Sequence, residues 1–133
     1  MPISGEFSEE LHSLGQFIQD GSPILFESFL EIGDREISLP VPSDRVDDHF
    51  SYLDGKDFDD INRAAFEATR KAHSRTLPCF TIKVDRIDEY SFGELFYFFE
   101  FACYLSCRIM GVNPFDQNGV EDYKRMMFKS LGR

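Results

Sequence analysis

A polar turn near the C-terminus concentrates side chains that could stabilise a developing negative charge. The stretch VNPFDQNGVEDYK, residues 112–124, lies between two apolar runs and carries Gln117, Glu121 and Lys124. Lys124 could stabilise an oxyanion, and Gln117 falls in the first turn of a predicted helix, where free backbone N–H groups favour anions. Glu121 and Lys124 also have the i,i+3 spacing of an ordinary surface pair, worth about 0.2–0.5 kcal/mol. On the residues alone, the solvated pair is the favoured interpretation.

His12 is the second candidate for chemistry, in this case proton transfer. It is predicted to lie on the polar face of a first helix, together with Ser8, Glu9, Gln16 and Gln19. A histidine side chain suits the exchange of a hydroxyl proton because its charge changes near neutral pH. A packed core histidine does not fit this polar face, but an ordinary solvated histidine does, and on the residues alone it is favoured.

The two other histidines have no comparable support. His49 lies in an acidic loop, and His73 lies near the end of a predicted helix, where a cation suits the helix dipole. Both are predicted to be structural or solvent-facing.

Composition limits the class of partner. The chain has 133 residues, one domain's worth, and its 42% hydrophobic content indicates a globular protein. The net charge of −10 argues against nucleic acid and anionic membrane surfaces as partners. It does not exclude a small anionic ligand, because one well-placed lysine can act locally.

The cysteines and the N-terminus indicate a reducing compartment. Cys79, Cys103 and Cys107 form neither a disulfide framework nor a set of metal ligands, so they are predicted to be small core side chains. No metal and no cofactor is predicted. The start MPISGEF has no basic and no apolar signal region, so we expect no signal peptide and a cytoplasmic location.

Hydrophobic spacing predicts two helices in the first part of the chain. Ser8, followed by acids, is predicted to cap a helix that ends at the Asp-Gly pair 20–21. Pro40 and Pro42 interrupt an alternating stretch, which predicts a short edge strand or an extended loop. Asp57 opens the second helix, in which apolar residues recur at helical steps: Phe58, Ile61, Ala65, Ala68 and Ala72.

Two strands and two further helices complete the predicted α/β fold. Strands are predicted within Pro23–Ile32 and, from clear alternation, over Cys79–Val84. Ser91 is predicted to cap a helix over Phe92–Met110 that stops at Gly111, and a last helix begins at Asp116. In all, we expect about four helices and two to four short strands.

The long apolar helix is predicted to be the central core helix, the most buried in the fold. It is close to membrane-spanning length, but it contains Glu94, Glu100 and Arg108. Each would cost about 2.5–3.5 kcal/mol at a bilayer centre, which argues against a membrane span.

With these elements placed, the polar turn resembles a family signature. GVNPFDQNGVEDYK is similar to V-N-x-F-D-Q-x-G-V-E-x-x-K, the C-terminal signature of glucose-6-phosphate isomerases. The preceding helix resembles that of the bacterial members, DINRAAFEATRKAH resembles an earlier helix, and FSEELHSLGQFIQDG resembles the helix of the catalytic histidine. The resemblance covers essentially the whole chain, but only about the last third of a family member, since such proteins have two domains.

The resemblance implies a fold, a reaction and a set of site residues. The fold would be the C-terminal part of a sugar-isomerase (SIS-like) layered α/β domain, without the N-terminal sugar-isomerase domain. The family interconverts glucose 6-phosphate and fructose 6-phosphate, and assigns ring opening to a histidine and a lysine. His12 and Lys124 match these two, and Gln117 and Glu121 match neighbouring substrate-binding positions.

The resemblance also implies what these residues lack. The family's glutamate base, which moves a proton between C1 and C2, has no counterpart here, and Glu9 and Glu10 lie in a different motif. The phosphate-binding loops have no counterpart either. We therefore expect little or no activity from the 133 residues alone. The alternatives are a non-catalytic interaction module with the same fold and, made improbable by the signature, an unrelated acidic α/β binding domain.

The family's assembly implies a further expectation. Its histidine is supplied across a dimer interface, so His12 and Lys124 are predicted to be too far apart for a hydrogen bond within one chain. Both are predicted to reach solvent, and a homo-oligomer is expected.

Overall fold

The computed structural model describes residues 3–23, 26–34, 37–44, 46, 48–116 and 118–133, which form two compact units, Met1–Ile87 and Asp88–Arg133. The described residues contain four α-helices and one two-stranded sheet, so the predicted α/β class is confirmed. The elements are α1 (Gln16–Asp20), β1 (Glu27–Asp34), α2 (Phe58–His73), β2 (Cys79–Arg86), α3 (Glu89–Ile109) and α4 (Asn118–Ser130). A π-helical turn, Leu11–Gly15, precedes α1, and a 3-10 turn spans Ser51–Leu53.

The core of the first unit lies between the sheet and α2. The strands β1 and β2 run parallel, with Leu30 opposite Ile82, and parallel neighbours need a long crossover, which contains α2. Because side chains alternate along a strand, Phe29 is buried while Leu30 is 46% exposed. The Phe29 ring packs edge-on against Phe66 of α2, with 5.5 Å between ring centroids.

The first helical segment begins later than predicted, and the prediction that Ser8 caps it is wrong. Regular helical hydrogen bonding begins at Leu11, and the residue before it, Glu10, makes no capping bond. Instead, the Glu10 carboxylate accepts a hydrogen bond from the Glu6 N–H at 2.7 Å, within a separate turn. The predicted end is confirmed at Asp20. A Cβ on Gly21 would lie 2.4 Å from the Phe17 carbonyl oxygen, so only glycine fits there.

Asp57 caps α2 as predicted and also fixes the segment before it. Its Oδ1 accepts from the Asp59 N–H at 2.9 Å, as an N-cap does. Its Oδ2 accepts from the Ser38 hydroxyl at 2.5 Å and from the Leu39 N–H at 3.0 Å. An isolated bridge joins Pro40 to Asp57, so of the two predicted alternatives, a short edge strand or an extended loop, the described residues show the extended loop with one bridge. The Ser38 hydrogen bond, followed by that of Asp59, lowers the pKa of Asp57 below its ordinary value of 3.8.

Replacing Asp57 by alanine is expected to lower the melting temperature of the chain at pH 7 by a few degrees. A carboxyl with a lowered folded-state pKa stabilises the fold above its unfolded pKa and loses that contribution as the pH falls through the folded value. The difference in melting temperature between wild type and Asp57→Ala should therefore be full at pH 7 and shrink below about pH 4. Thermal melts followed by circular dichroism test this, with Asp60→Ala, an exposed acid in the same turn, as control. A difference in melting temperature that is independent of pH would contradict the stabilising role assigned to the ionised Asp57 carboxylate.

In the second unit, α3 begins earlier than predicted and is capped by a different residue. The Asp88 carboxylate accepts from the Ser91 N–H at 2.7 Å, so Asp88 is the N-cap and the prediction of Ser91 is wrong. The helix then starts at Glu89, because the Asp88 side chain already accepts a hydrogen bond from the Ser91 N–H. Gly111 lies just past the C-terminus with φ +70°, as predicted for a helix stop.

The prediction that the long helix is the most buried is also wrong. No residue of α3 is buried, and its aromatic side chains are widely exposed, for example Phe92 at 69% and Tyr97 at 65%. A helix that is apolar nearly all round needs neighbours on every side. Among the described residues of this unit there is one other helix, α4, which is too little to cover it.

Within the described part of the chain, no helix combines the length and the hydropathy that a bilayer span requires.

Candidate active-site residues in two units

His12 lies in the π-helical turn at the start of the first unit. Its side chain is exposed, which confirms the prediction that it reaches solvent. The turn is closed by a hydrogen bond from the Gly15 N–H to the Glu10 carbonyl at 3.1 Å, one residue wider than an α-helical turn. Such wide turns are rare and frequently occur at functional sites.

The inner side of the same turn rests on His73. Gly15 is buried, and a Cβ at its position would lie 3.7 Å from Nε2 of His73 and 3.2 Å from the Leu11 side chain. Of the two roles predicted for His73, exposure to solvent is wrong, because its side chain is only 1% exposed. The sequence signal was available: His73 lies seven residues after Phe66, two helical turns along the same face of α2.

A carboxylate holds the His73 ring in place. Nδ1 of His73 lies 2.9 Å from Oε2 of Glu27, whose side chain is 12% exposed. An ionised carboxylate can only accept a hydrogen bond, so the contact suits the tautomer of His73 in which Nδ1 is the donor. The rings of Phe7 and Phe29 flank the imidazole, with centroids 5.0 and 6.1 Å away.

Cys79 extends this cluster without adding a reactive group. Its thiol lies 3.8 Å from Oε2 of Glu27. Burial, followed by the negative charge of Glu27, raises the pKa of the Cys79 thiol and keeps it protonated. Among the described residues, no group of three or more histidine, cysteine, aspartate or glutamate side chains could hold a metal ion.

The remaining described candidates lie on α4 of the second unit. Nζ of Lys124 is 2.9 Å from Oε1 of Glu121, and the two side chains are 45% and 61% exposed. Both line an open groove that carries more cations than acids: Glu121, Lys124, Arg125, Phe128, Lys129 and Arg133. Two of these cations are already paired with carboxylates, Lys124 with Glu121 and Arg125 with Asp122. Gln117, the other predicted binding residue, lies outside the described residues.

Comparison with known proteins agrees with the resemblance in sequence. Glucose-6-phosphate isomerase from Clostridioides difficile (strain 630) is 48% identical over 134 residues, which is 99% of this chain and 30% of that protein. The glucose-6-phosphate isomerases of Clostridium tetani (strain Massachusetts / E88) and Bacillus cytotoxicus are 46% and 47% identical with the same coverage. The chain thus spans about 30% of the length of the curated relatives it matches, and the predicted resemblance is confirmed.

Two further comparisons concern the fold. The crystal structure of a hypothetical protein from Thermus thermophilus matches 94% of this chain and 30% of its own, with a TM-score of 0.86 and 22% identity. At that identity the match supports the fold alone. No protein-family model matches the chain.

Proposed function

We propose that this chain, which corresponds to a C-terminal portion of glucose-6-phosphate isomerases, supplies the ring-opening residues of such an enzyme. The reaction would interconvert glucose 6-phosphate and fructose 6-phosphate. The identity of 46–48% over 99% of the chain carries the proposal. The exposure of the His12 and Lys124 side chains supports it. A cytoplasmic location is part of the same proposal.

His12 and Lys124 would contribute complementary groups to ring opening. As the bond between C1 and the ring oxygen breaks, the C1 hydroxyl loses a proton and the ring oxygen gains one. His12, exposed on its turn, would exchange the proton. Lys124, oriented by Glu121 at 2.9 Å, would stabilise the sugar oxygen on which negative charge develops. Glu121 and Gln117 would bind the sugar hydroxyls.

The later proton transfer between C1 and C2 requires a base, which we assign to no residue of these 133. A missing general base typically costs about 10²–10⁴-fold in rate. The phosphate-binding groups are likewise assigned elsewhere in the enzyme. Purified alone, the 133-residue chain should therefore show little or no isomerase activity in a coupled assay.

A chimera tests the proposal directly. The matched segment of the Clostridioides difficile relative is replaced by this chain, and turnover of glucose 6-phosphate is compared with that of the parent enzyme. We expect a kcat within about tenfold of the parent, because the catalytic groups are retained. A chimera that folds and assembles like the parent but has no activity would overturn the proposal.

The exposed aromatic face of α3 favours a second candidate, a non-catalytic interaction module. Phe92, Phe96 and Tyr97 are all more than half exposed, which is unusual for a helix that binds nothing. Both candidates would use this aromatic face to bind other protein surfaces. A non-catalytic module, however, would give a chimera that folds but has no activity. The chimera assay therefore separates the two candidates.

The same face should make the isolated chain self-associate, in keeping with the homo-oligomer we propose. Tyr97 and Phe101 stack one turn apart, with ring centroids 5.9 Å apart, and are 65% and 46% exposed. Size-exclusion chromatography with light scattering should show a dimer or larger species. Tyr97→Lys/Phe101→Lys should shift it toward monomer, whereas Ser106→Lys, an added charge on the same helix without loss of a ring, should not. A wild-type chain that stays monomeric at high concentration would contradict this expectation.

A further inference from the structure

The buried pair of His73 and Glu27 is poorly explained by stability alone. The two side chains are 1% and 12% exposed and meet at 2.9 Å across the start of β1 and the end of α2. Replacing such a buried polar pair by apolar side chains of similar volume is often neutral or stabilising. The pair is therefore expected to have another role, and its neighbours indicate which.

The imidazole of His73 supports the turn that carries His12. Phe7, just before the turn, meets the ring edge-on at a centroid distance of 5.0 Å. On the turn itself, a Cβ added at Gly15 would lie 3.7 Å from Nε2, which is ordinary van der Waals contact. His12 lies three residues before Gly15 on the same π-helical turn, with its own side chain in solvent. The His73 ring thus lies beneath the turn that carries His12.

We propose that His73, oriented by Glu27, is a positioning residue for His12. The hydrogen bond from Nδ1 to Glu27 fixes the plane of the ring, and the ring fixes the height and rotation of the π-helical turn. A displacement of about 1 Å at a reacting group can cost on the order of 100-fold in rate, so support at this distance affects turnover. This inference rests on the proposed function, since it assigns His73 a role through His12.

The test uses the Clostridioides difficile chimera with the double variant Glu27→Leu/His73→Phe. Removing both partners leaves no buried charge unpaired, so the double variant should fold even where His73→Phe alone does not. We expect kcat to fall about 10- to 100-fold, with KM within about twofold of the unmodified chimera. His73→Asn keeps an N–H donor near the position of Nδ1 but has no ring beneath Gly15, so it should show a similar loss of kcat, because the inference assigns the support to the ring.

A matched control separates positioning from general loss of stability. Leu77→Ala truncates a buried side chain of the same unit, 6% exposed, and should lower the melting temperature without lowering the kcat of the folded enzyme. A double variant with the kcat of the unmodified chimera would overturn the inference. An unmodified chimera without activity would instead overturn the proposed function, and so would a His12→Asn variant whose kcat is unchanged. The two failures can therefore be told apart.

Discussion

Replacing His12 by asparagine in the Clostridioides difficile chimera is expected to lower kcat by about 10²–10⁴-fold, the usual contribution of a general acid–base group. Asparagine keeps a polar side chain of similar reach but cannot accept and return a proton near neutral pH. Because His12 is exposed on the π-helical turn, the substitution should leave the melting temperature nearly unchanged. Steady-state kinetics and thermal melts on the same preparation measure both quantities.

His49 provides the control for this substitution. It is also exposed, and its backbone φ of +67° is a conformation that asparagine adopts readily. His49→Asn should therefore keep both the kcat and the stability of the unmodified chimera. Equal kcat values for His12→Asn and His49→Asn would contradict the role assigned to His12.

Replacing Lys124 by methionine in the same chimera is expected to lower kcat by about 10²–10³-fold, the cost of losing one group that stabilises a developing oxyanion. Methionine keeps most of the length and the apolar stem of the side chain but removes its charge. The Glu121–Lys124 pair is largely solvent-exposed, so its loss should affect stability little. Initial rates across a range of glucose 6-phosphate concentrations separate kcat from KM.

Lys129 is the matched control for Lys124. It lies on the same helix and lines the same groove, so Lys129→Met removes an equal charge from the same surface. A general electrostatic effect would lower the rate in both variants, whereas a specific role predicts a large loss in Lys124→Met alone. Similar losses in the two variants would argue against a specific role.

The sequence predicted those elements whose local signals agree with one another. For α2, helical spacing of apolar residues coincides with an Asp57 cap, and the structure has both. For β2, strict alternation over Cys79–Val84 predicted a strand that the structure extends to Arg86. The stop at Gly111 also depends only on the local backbone. Each of these signals comes from within a few residues of the feature that it predicts.

The features that were missed depend on competition between neighbouring side chains for the same role or on residues that are distant in the sequence. At α3, both Asp88 and Ser91 have cap-forming side chains, and only the structure shows that Asp88 accepts from the Ser91 N–H. The face of α2 on which His73 lies could be read from its spacing to Phe66, but its partner Glu27 lies 46 positions earlier in the chain. Covering α3 requires partners that its own unit does not contain among the described residues.

The candidate site likewise combines features that the sequence predicted with features that only the structure shows. The residues alone left His12 and Lys124 as ordinary solvated side chains, and their exposure agrees with that as well as with catalysis. The resemblance of the whole signature favoured catalysis. The contact between the π-helical turn and His73 is seen only in the three-dimensional arrangement, since no local pattern places that ring beneath Gly15.

The most direct test of the central claim compares a ring-closed with a ring-opened substrate. The chimera carrying His12→Asn/Lys124→Met is assayed with glucose 6-phosphate and with an acyclic aldose phosphate that lacks the hydroxyls needed for ring closure. If the chain supplies ring opening, the double variant should lose at least about 100-fold in kcat on glucose 6-phosphate and keep nearly the full rate of the unmodified chimera on the acyclic substrate. An equal loss on both substrates would contradict the account.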